Sequence, residues 1–281
     1  MNDHFEEQEF GLRNLSSFKI SIPQSIIVTL IILVCMQFIG AFINLPSMFW
    51  TPGYQITFPL SFAVGSLLAM WALFRYLKTD WNTIKAHIMQ PSSMAVIVLS
   101  ILMYVFSMPF AEFLVSIVPT EGILWLEQLY KALTESFELF VDYKIAGFIT
   151  ICILAPIFEE ILFRGILLRG MLQYGISPIT AIVVSSLLFG IAHLNPWQFL
   201  GAGLLGAIFG FIYYRTRALW ICMLLHALNN TISFLMMLKY ESMDESLTDS
   251  ENYTAIIVCF SVAVVIGWTI YKLTQNKPKW N

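Results

Sequence analysis

Residues 145–169 read IAGFITICILAPIFEEILFRGILLR, an apolar run long enough to cross a bilayer that nevertheless carries Glu159, Glu160 and Arg164 in its second half. Crossing the hydrocarbon takes about 20 residues of helix, because every backbone polar group must be satisfied within the segment. An ionisable side chain near the middle of such a span costs about 2.5–3.5 kcal/mol on insertion scales, so three in one span call for partners. Glu160 and Arg164 lie four apart, on one helix face, where they can pair. Glu159 lies about 100° round the helix from Glu160 and is expected to point elsewhere, unpaired. Pro156 removes a backbone hydrogen bond just ahead of the glutamates and predicts a kink there.

Outward from this run the chain continues in the same style. Eight candidate spans are expected, at 25–43, 56–74, 93–118, 145–169, 178–194, 198–214, 218–238 and 253–273. The fold class is therefore all-α, a polytopic transmembrane helix bundle. Its parts are a polar tail (1–24), N-terminal transmembrane helices (25–120), an amphipathic segment (121–144), a core (145–238), and an acidic loop with the last span and a basic tail (239–281). The segment 121–142 alternates Leu124, Trp125, Leu129 and Leu133 with Glu127, Lys131 and Glu135, the pattern of a helix lying at the membrane interface. No small-residue cleavage site follows the first apolar run, which reads as a retained helix.

Lysine and arginine placement sets the expected orientation. With a cytoplasmic N-terminus the inner segments hold eleven: Arg13, Lys19, Arg75, Lys78, Lys85, Arg169, Arg215, Arg217, Lys272, Lys277 and Lys279. The outer segments hold three, Lys131, Lys144 and Lys239, so both termini are expected inside, in a plasma membrane. The acidic residues of the loop 239–252 (Glu241, Asp244, Glu245, Asp249, Glu251) carry little weight in that rule.

Composition excludes other classes. The chain is 58% apolar and 12% charged, with mean hydropathy +0.75, and so few charges cannot cover a water-facing surface of this size. A net charge of −3 without a basic patch excludes a nucleic-acid partner. Cys35, Cys152, Cys222 and Cys259 all fall in apolar stretches without CxxC spacing and read as small hydrophobes. The sixth span carries Gly201, Gly203, Gly206 and Gly210, a small-residue face for close helix packing.

Six ionisable residues fall inside the expected spans: Glu112, Glu159, Glu160, Arg164, His193 and His226. His193 shares a helix face with Phe189, four residues before it, and His226 shares one with Asn230. Each pair alone is ordinary interhelical polar contact. On three helices at similar depth they must meet in a bundle interior or a wet cavity, where Glu159 can serve as a general base and His226 and Asn230 can donate at a common point. Counted from the cytoplasmic end, His193 lies deeper than His226. Glu112 belongs to no such set and reads as a snorkelling or packing residue.

Glu159-Glu160-x-x-x-Arg164, Phe189-x-x-x-His193 and His226-x-x-x-Asn230, with the flanking words APIFEEILFRG, SSLLFGIAHL and HALNN, resemble the motif set of the CAAX protease and bacteriocin-processing family of intramembrane peptidases. The resemblance covers roughly residues 145–238. It implies hydrolysis of a peptide bond in a membrane-anchored protein or peptide substrate, within or at the lipid bilayer. By the same resemblance Glu159 and His193 activate a water, His226 and Asn230 stabilise the oxyanion, and Glu160 and Arg164 are structural partners, with Phe189 packing beside the imidazole.

The cofactor stays open. Two histidines and a glutamate could form a three-ligand zinc site, but the chain lacks the HExxH spacing of common zinc peptidases, and a metal-free glutamate mechanism fits the same residues and is favoured. Two other readings use the same polar groups: a non-catalytic bacteriocin self-immunity or signalling scaffold of the same family, and a proton-coupled transporter. The second lacks the inverted repeat or paired broken helices expected of it.

Overall fold

The computed structural model describes residues 18–240, 252–275 and Trp280. The acidic residues expected in the outer loop lie outside the described residues, as do Arg13, Lys277 and Lys279. Among the described residues ten helices follow one another: α1 (Ile22–Asn44), α2 (Tyr54–Leu77), α3 (Trp81–Ile88), α4 (Met94–Ser116), α5 (Leu124–Asp142), α6 (Lys144–Tyr174), α7 (Pro178–Ile191), α8 (Pro196–Thr216), α9 (Leu219–Tyr240) and α10 (Tyr253–Leu273). Short 3₁₀ turns, Leu45–Met48 and Thr51–Gly53, join α1 to α2, and the described residues contain no strand.

Helix starts follow local chemistry. Ser21 caps α1 and closes a capping box with Gln24, Asp80 caps α3, Ser93 α4, Ser177 α7, Asn195 α8 and Asn252 α10. Pro23, Pro178 and Pro196 sit in first turns, where the missing N–H costs nothing. Several ends are equally local: Lys78, Gly175 and Arg217 take left-handed conformations that turn the chain after α2, α6 and α8.

Among the described residues seven helices, counting α1 and α2 with their adjoining turns, are long and apolar enough to cross a membrane. The expected fifth span differs. Its helix α7 is 14 residues, a rise of about 21 Å against the roughly 30 Å of the hydrocarbon. The chain then breaks at Ala192–Asn195 and returns as α8, which packs along α7. Gly190 permits that approach, since a Cβ there would sit 2.7 Å from the carbonyl oxygen of Phe199.

The segment 121–142 forms the 19-residue helix α5, which is not among the membrane-crossing candidates. At the centre lies α6: every side chain from Ile161 to Leu168 is buried. α1 is the opposite case, with only Ser25 and Thr29 buried and Phe38 and Phe42 about three-quarters exposed, as suits a lipid-facing helix. α4 pairs with α10 and α8, and α1 with α2.

Candidate active site

The glutamates ride on a distorted stretch of α6. Phe148–Leu154 and Ile161–Leu168 are π-helical, with N–H groups reaching five residues back, and Ala155–Glu160 is α-helical between them. Such widened turns often accompany functional sites because they re-aim the side chains beyond them. They stand where the sequence predicted a kink at Pro156.

Glu160 is fully buried, and its Oε1 accepts from Nη1 of Arg164 at 2.8 Å, as the four-residue spacing predicted. Arg164 also donates from Nη2 to the carbonyl of Gly206 on α8, at 3.2 Å. Its guanidinium lies 4.4 Å from the ring centroid of Phe189 and 5.6 Å from that of Phe209. Gly206 makes room for this arrangement: a Cβ there would stand 3.2 Å from the Phe189 ring and 3.3 Å from Nη2 of Arg164. A pair so enclosed survives because each charge is hydrogen-bonded, and removing one partner would strand the other.

His226 on α9 completes this cluster. Its Nδ1 lies 2.9 Å from Oε1 of Glu160 and its Nε2 lies 3.9 Å from Oε2 of Glu159. A carboxylate oxygen only accepts, so Nδ1 carries hydrogen. The angular offset from Glu160 predicted an unpaired Glu159, and the structure corrects this: His226, on α9, lies between the two carboxyls and reaches both. Glu159 still differs from Glu160 in being 27% exposed, against 0%.

His193 does not continue α7. The helix ends at Ile191, and the His193 ring, through Nδ1, bonds the carbonyl of Phe189 at 2.9 Å, while its own backbone N–H turns to Gly190. Leu194 then takes φ 58°, and Asn195 donates to the His193 carbonyl while capping α8. Pro196 enforces this break, because the residue before a proline is pushed to extended geometry. Since a carbonyl oxygen can only accept, Nδ1 of His193 is the protonated nitrogen and Nε2 of the neutral ring holds the lone pair.

Phe189 holds the constellation together. Its ring stands edge-to-face with His193 (5.1 Å), His226 (5.6 Å) and Phe163 (5.1 Å). Asn230 parts from His226: its Nδ2 donates to the carbonyl of Ile151 on α6 at 2.8 Å. The two residues share a face of α9, but α6 offers them different partners, a carboxyl for one and a backbone carbonyl for the other. The common point expected of them is not formed.

A cavity of about 390 Å³ opens beside Glu159 and His193, and both line it. His226, Asn230, Glu160, Arg164 and Phe189 do not. The far wall comes from α1 and α2, where no signature was legible. On α1 the lining residues Thr29, Leu33, Met36, Gln37, Gly40 and Asn44 recur at helical spacing, and on α2 Phe58, Phe62, Ser66 and Met70 do the same. The only mark on this face is a few polar groups, among them Thr29, Gln37, Asn44 and Ser66, which in helices otherwise apolar do not stand out by hydropathy.

Among the described residues no group of three or more His, Cys, Asp and Glu side chains is placed to hold an ion. Nδ1 of His226 is engaged by Glu160 and Nδ1 of His193 by a carbonyl, which leaves Nε2 of each ring for other partners.

Residues 142–232 match the family described as type II CAAX prenyl endopeptidase Rce1-like. Over 87 residues the chain is 36% identical to a Bacillus subtilis (strain 168) protein named "Putative membrane peptidase YdiL". That match covers 31% of this chain and 35% of the relative, so the chain spans about a third of the length of the curated protein it resembles. No solved structure matches the chain. The family match is of the CAAX protease kind to which the three motifs pointed and covers all three, and the relative's name is that of a membrane peptidase.

Proposed function

We propose that the chain is an intramembrane endopeptidase of the CAAX protease type that hydrolyses a peptide bond of a membrane-associated protein or peptide. One observation carries the reading: of the polar residues in the three motifs, only Glu159 and His193 line the cavity, while Glu160 and Arg164 are sealed behind them. The cavity is walled largely by apolar side chains of α1 and α2, which suits a peptide presented from lipid.

In this mechanism a water sits in the cavity against Glu159 and the lone pair on Nε2 of His193. Glu159 takes a proton from the water as its oxygen attacks the scissile carbonyl carbon. The carbonyl oxygen becomes an oxyanion. His226 in its imidazolium form, held through Nδ1 by Glu160, and the second amide hydrogen of Asn230 are the donors to it by the family resemblance, and both must turn toward the cavity when substrate binds, since in the structure neither lines it. Collapse of the tetrahedral intermediate breaks the C–N bond, and Glu159 returns its proton to the leaving amine. Glu160 and Arg164 fix His226 and take no part in bond making. Every step is written through the chain's own side chains. Orientation with both termini in the cytoplasm and residence in the plasma membrane belong to the same proposal, on the lysine and arginine placement.

The test compares membrane and secreted peptides of cells carrying wild type or Glu159→Ala, at matched protein level in the membrane. Specific cleavage products should vanish in the variant. An unchanged peptide set would overturn the reading.

A further inference from the structure

We propose that Asn230 is a positioning residue that holds the backbone of α6 about two turns ahead of Glu159, and that Tyr104 on α4 fixes its amide through Asn229. The inference deepens the peptidase reading by assigning Asn230 a role in aiming Glu159, and its test does not depend on cleavage.

The need arises from Pro156. In the π-helical stretch before it each N–H reaches five residues back, and the N–H of Ala155 bonds the carbonyl of Thr150. The next step asks the carbonyl of Ile151 to accept from residue 156, which is proline and has no N–H. A carbonyl inside a membrane helix cannot turn to bulk water, so its donor must come from a side chain. Nδ2 of Asn230 supplies it at 2.8 Å.

A relay across α4, α9 and α6 sets the direction of that amide. The hydroxyl of Tyr104, 1% exposed, donates to Oδ1 of Asn229 at 3.4 Å. Nδ2 of Asn229 donates to Oδ1 of Asn230 at 3.2 Å. Each group then has one role: a phenol can donate into this chain, each amide oxygen accepts, and each amide nitrogen passes the direction on. The reverse orientation would set the oxygen of Asn230 against the carbonyl of Ile151. Glu159 follows Pro156 by less than one turn, so the register held at Ile151 sets where its carboxyl points.

The experiment is a double-mutant cycle on the full chain in detergent micelles, with Asn230→Ala, Pro156→Ala and the pair, read by thermal unfolding. Alanine at 156 restores the missing N–H. Asn230→Ala should lower the Tm of the native sequence by about 2–4 °C, and by less than half as much in the Pro156→Ala background. Tyr104→Phe should lose its effect once Asn230 is alanine. The infrared carboxyl band that disappears in Glu159→Gln should move in Asn230→Ala and return in the double variant. If Asn230→Ala does not accumulate, recovery of membrane-inserted protein in the double variant takes the place of the Tm comparison. Equal losses in both backgrounds, or no recovery, would overturn the proposal, and coupling without movement of the band would overturn the positioning of Glu159. Loss of cleavage in Glu159→Ala reads the peptidase itself, so the two ideas fail separately.

Discussion

His226 donates from Nδ1 to Oε1 of Glu160 across 2.9 Å, so the imidazole is anchored by the glutamate that faces away from the cavity. The same oxygen accepts from Arg164, which places one carboxylate between two donors on two helices. In the proposed mechanism orientation is thereby separated from chemistry: Glu160 fixes, and Glu159 is left to react.

The two glutamates should therefore respond oppositely to the same substitution. Glu160→Gln weakens both bonds and leaves the Arg164 charge buried without its counter-ion, a loss of about 3–5 kcal/mol when a buried pair is broken. Thermal unfolding in detergent should show a large fall, and little protein should reach the membrane. Glu159→Gln keeps shape and polarity at a 27% exposed position, so Tm should stay near that of the native protein while cleavage products disappear. Equal destabilisation by the two would contradict the division of roles.

Phe189 is expected to be among the costliest aromatic residues to truncate. Its ring meets Arg164, His193, His226 and Phe163 at once, and Phe189→Ala should cost about 3–5 kcal/mol through the cavity it leaves. Phe189→Leu fills most of that volume but removes the ring face over the guanidinium. It should recover most of the stability and less of the cleavage, measured as Tm against product formation on the same preparation.

What the sequence showed of this site was what is local along one helix. The Glu160–Arg164 pair is an i, i+4 relation, and the helix itself enforces it. The turn at His193 was less visible, because hydropathy reads composition and residues 178–194 are apolar through the break. The effect of Pro196 on the residue before it was the available signal. His226 and Asn230 shared a face as expected, but their partners depend on what α6 presents, and a carbonyl freed by Pro156 in a π-helical turn is not a pattern in composition. The wall from α1 and α2 was hidden for a related reason: nearly every residue there is apolar, so the face that lines the cavity differs from the lipid face mainly by tertiary contact.

The glycines of α8 can be ranked by the same geometry. A Cβ at Gly206 would press on Phe189, Ser186 and Arg164 at 3.2–3.3 Å, whereas one at Gly203 meets nothing within 4 Å. Gly206→Val should displace the guanidinium from its carbonyl and lower both membrane accumulation and Tm. Gly203→Ala should be neutral or slightly stabilising, since alanine is favoured over glycine within a helix by about 1 kcal/mol. Similar losses at both positions would mean that α8 packs differently from the arrangement described.

A pH dependence should arise away from the active site, at His87 on α3, which lies outside the membrane-crossing helices. Its ring is buried against Trp280, 6.0 Å away and nearly parallel, with the Tyr213 hydroxyl 3.2 Å from Nδ1. Burial, and then the positive charges of Arg169 and Arg217, hold its pKa well below the ordinary 6.5. Above pH 6.5 the ring is neutral folded and unfolded alike, so it adds no slope there. Below 6.5 the unfolded chain binds a proton that the folded one refuses, and stability falls as pH drops toward the depressed folded value. Tm measured between pH 7.5 and 5.5 should therefore decline in the native protein, and His87→Gln, neutral throughout, should decline less. An identical slope in the two proteins would place the sensitivity elsewhere.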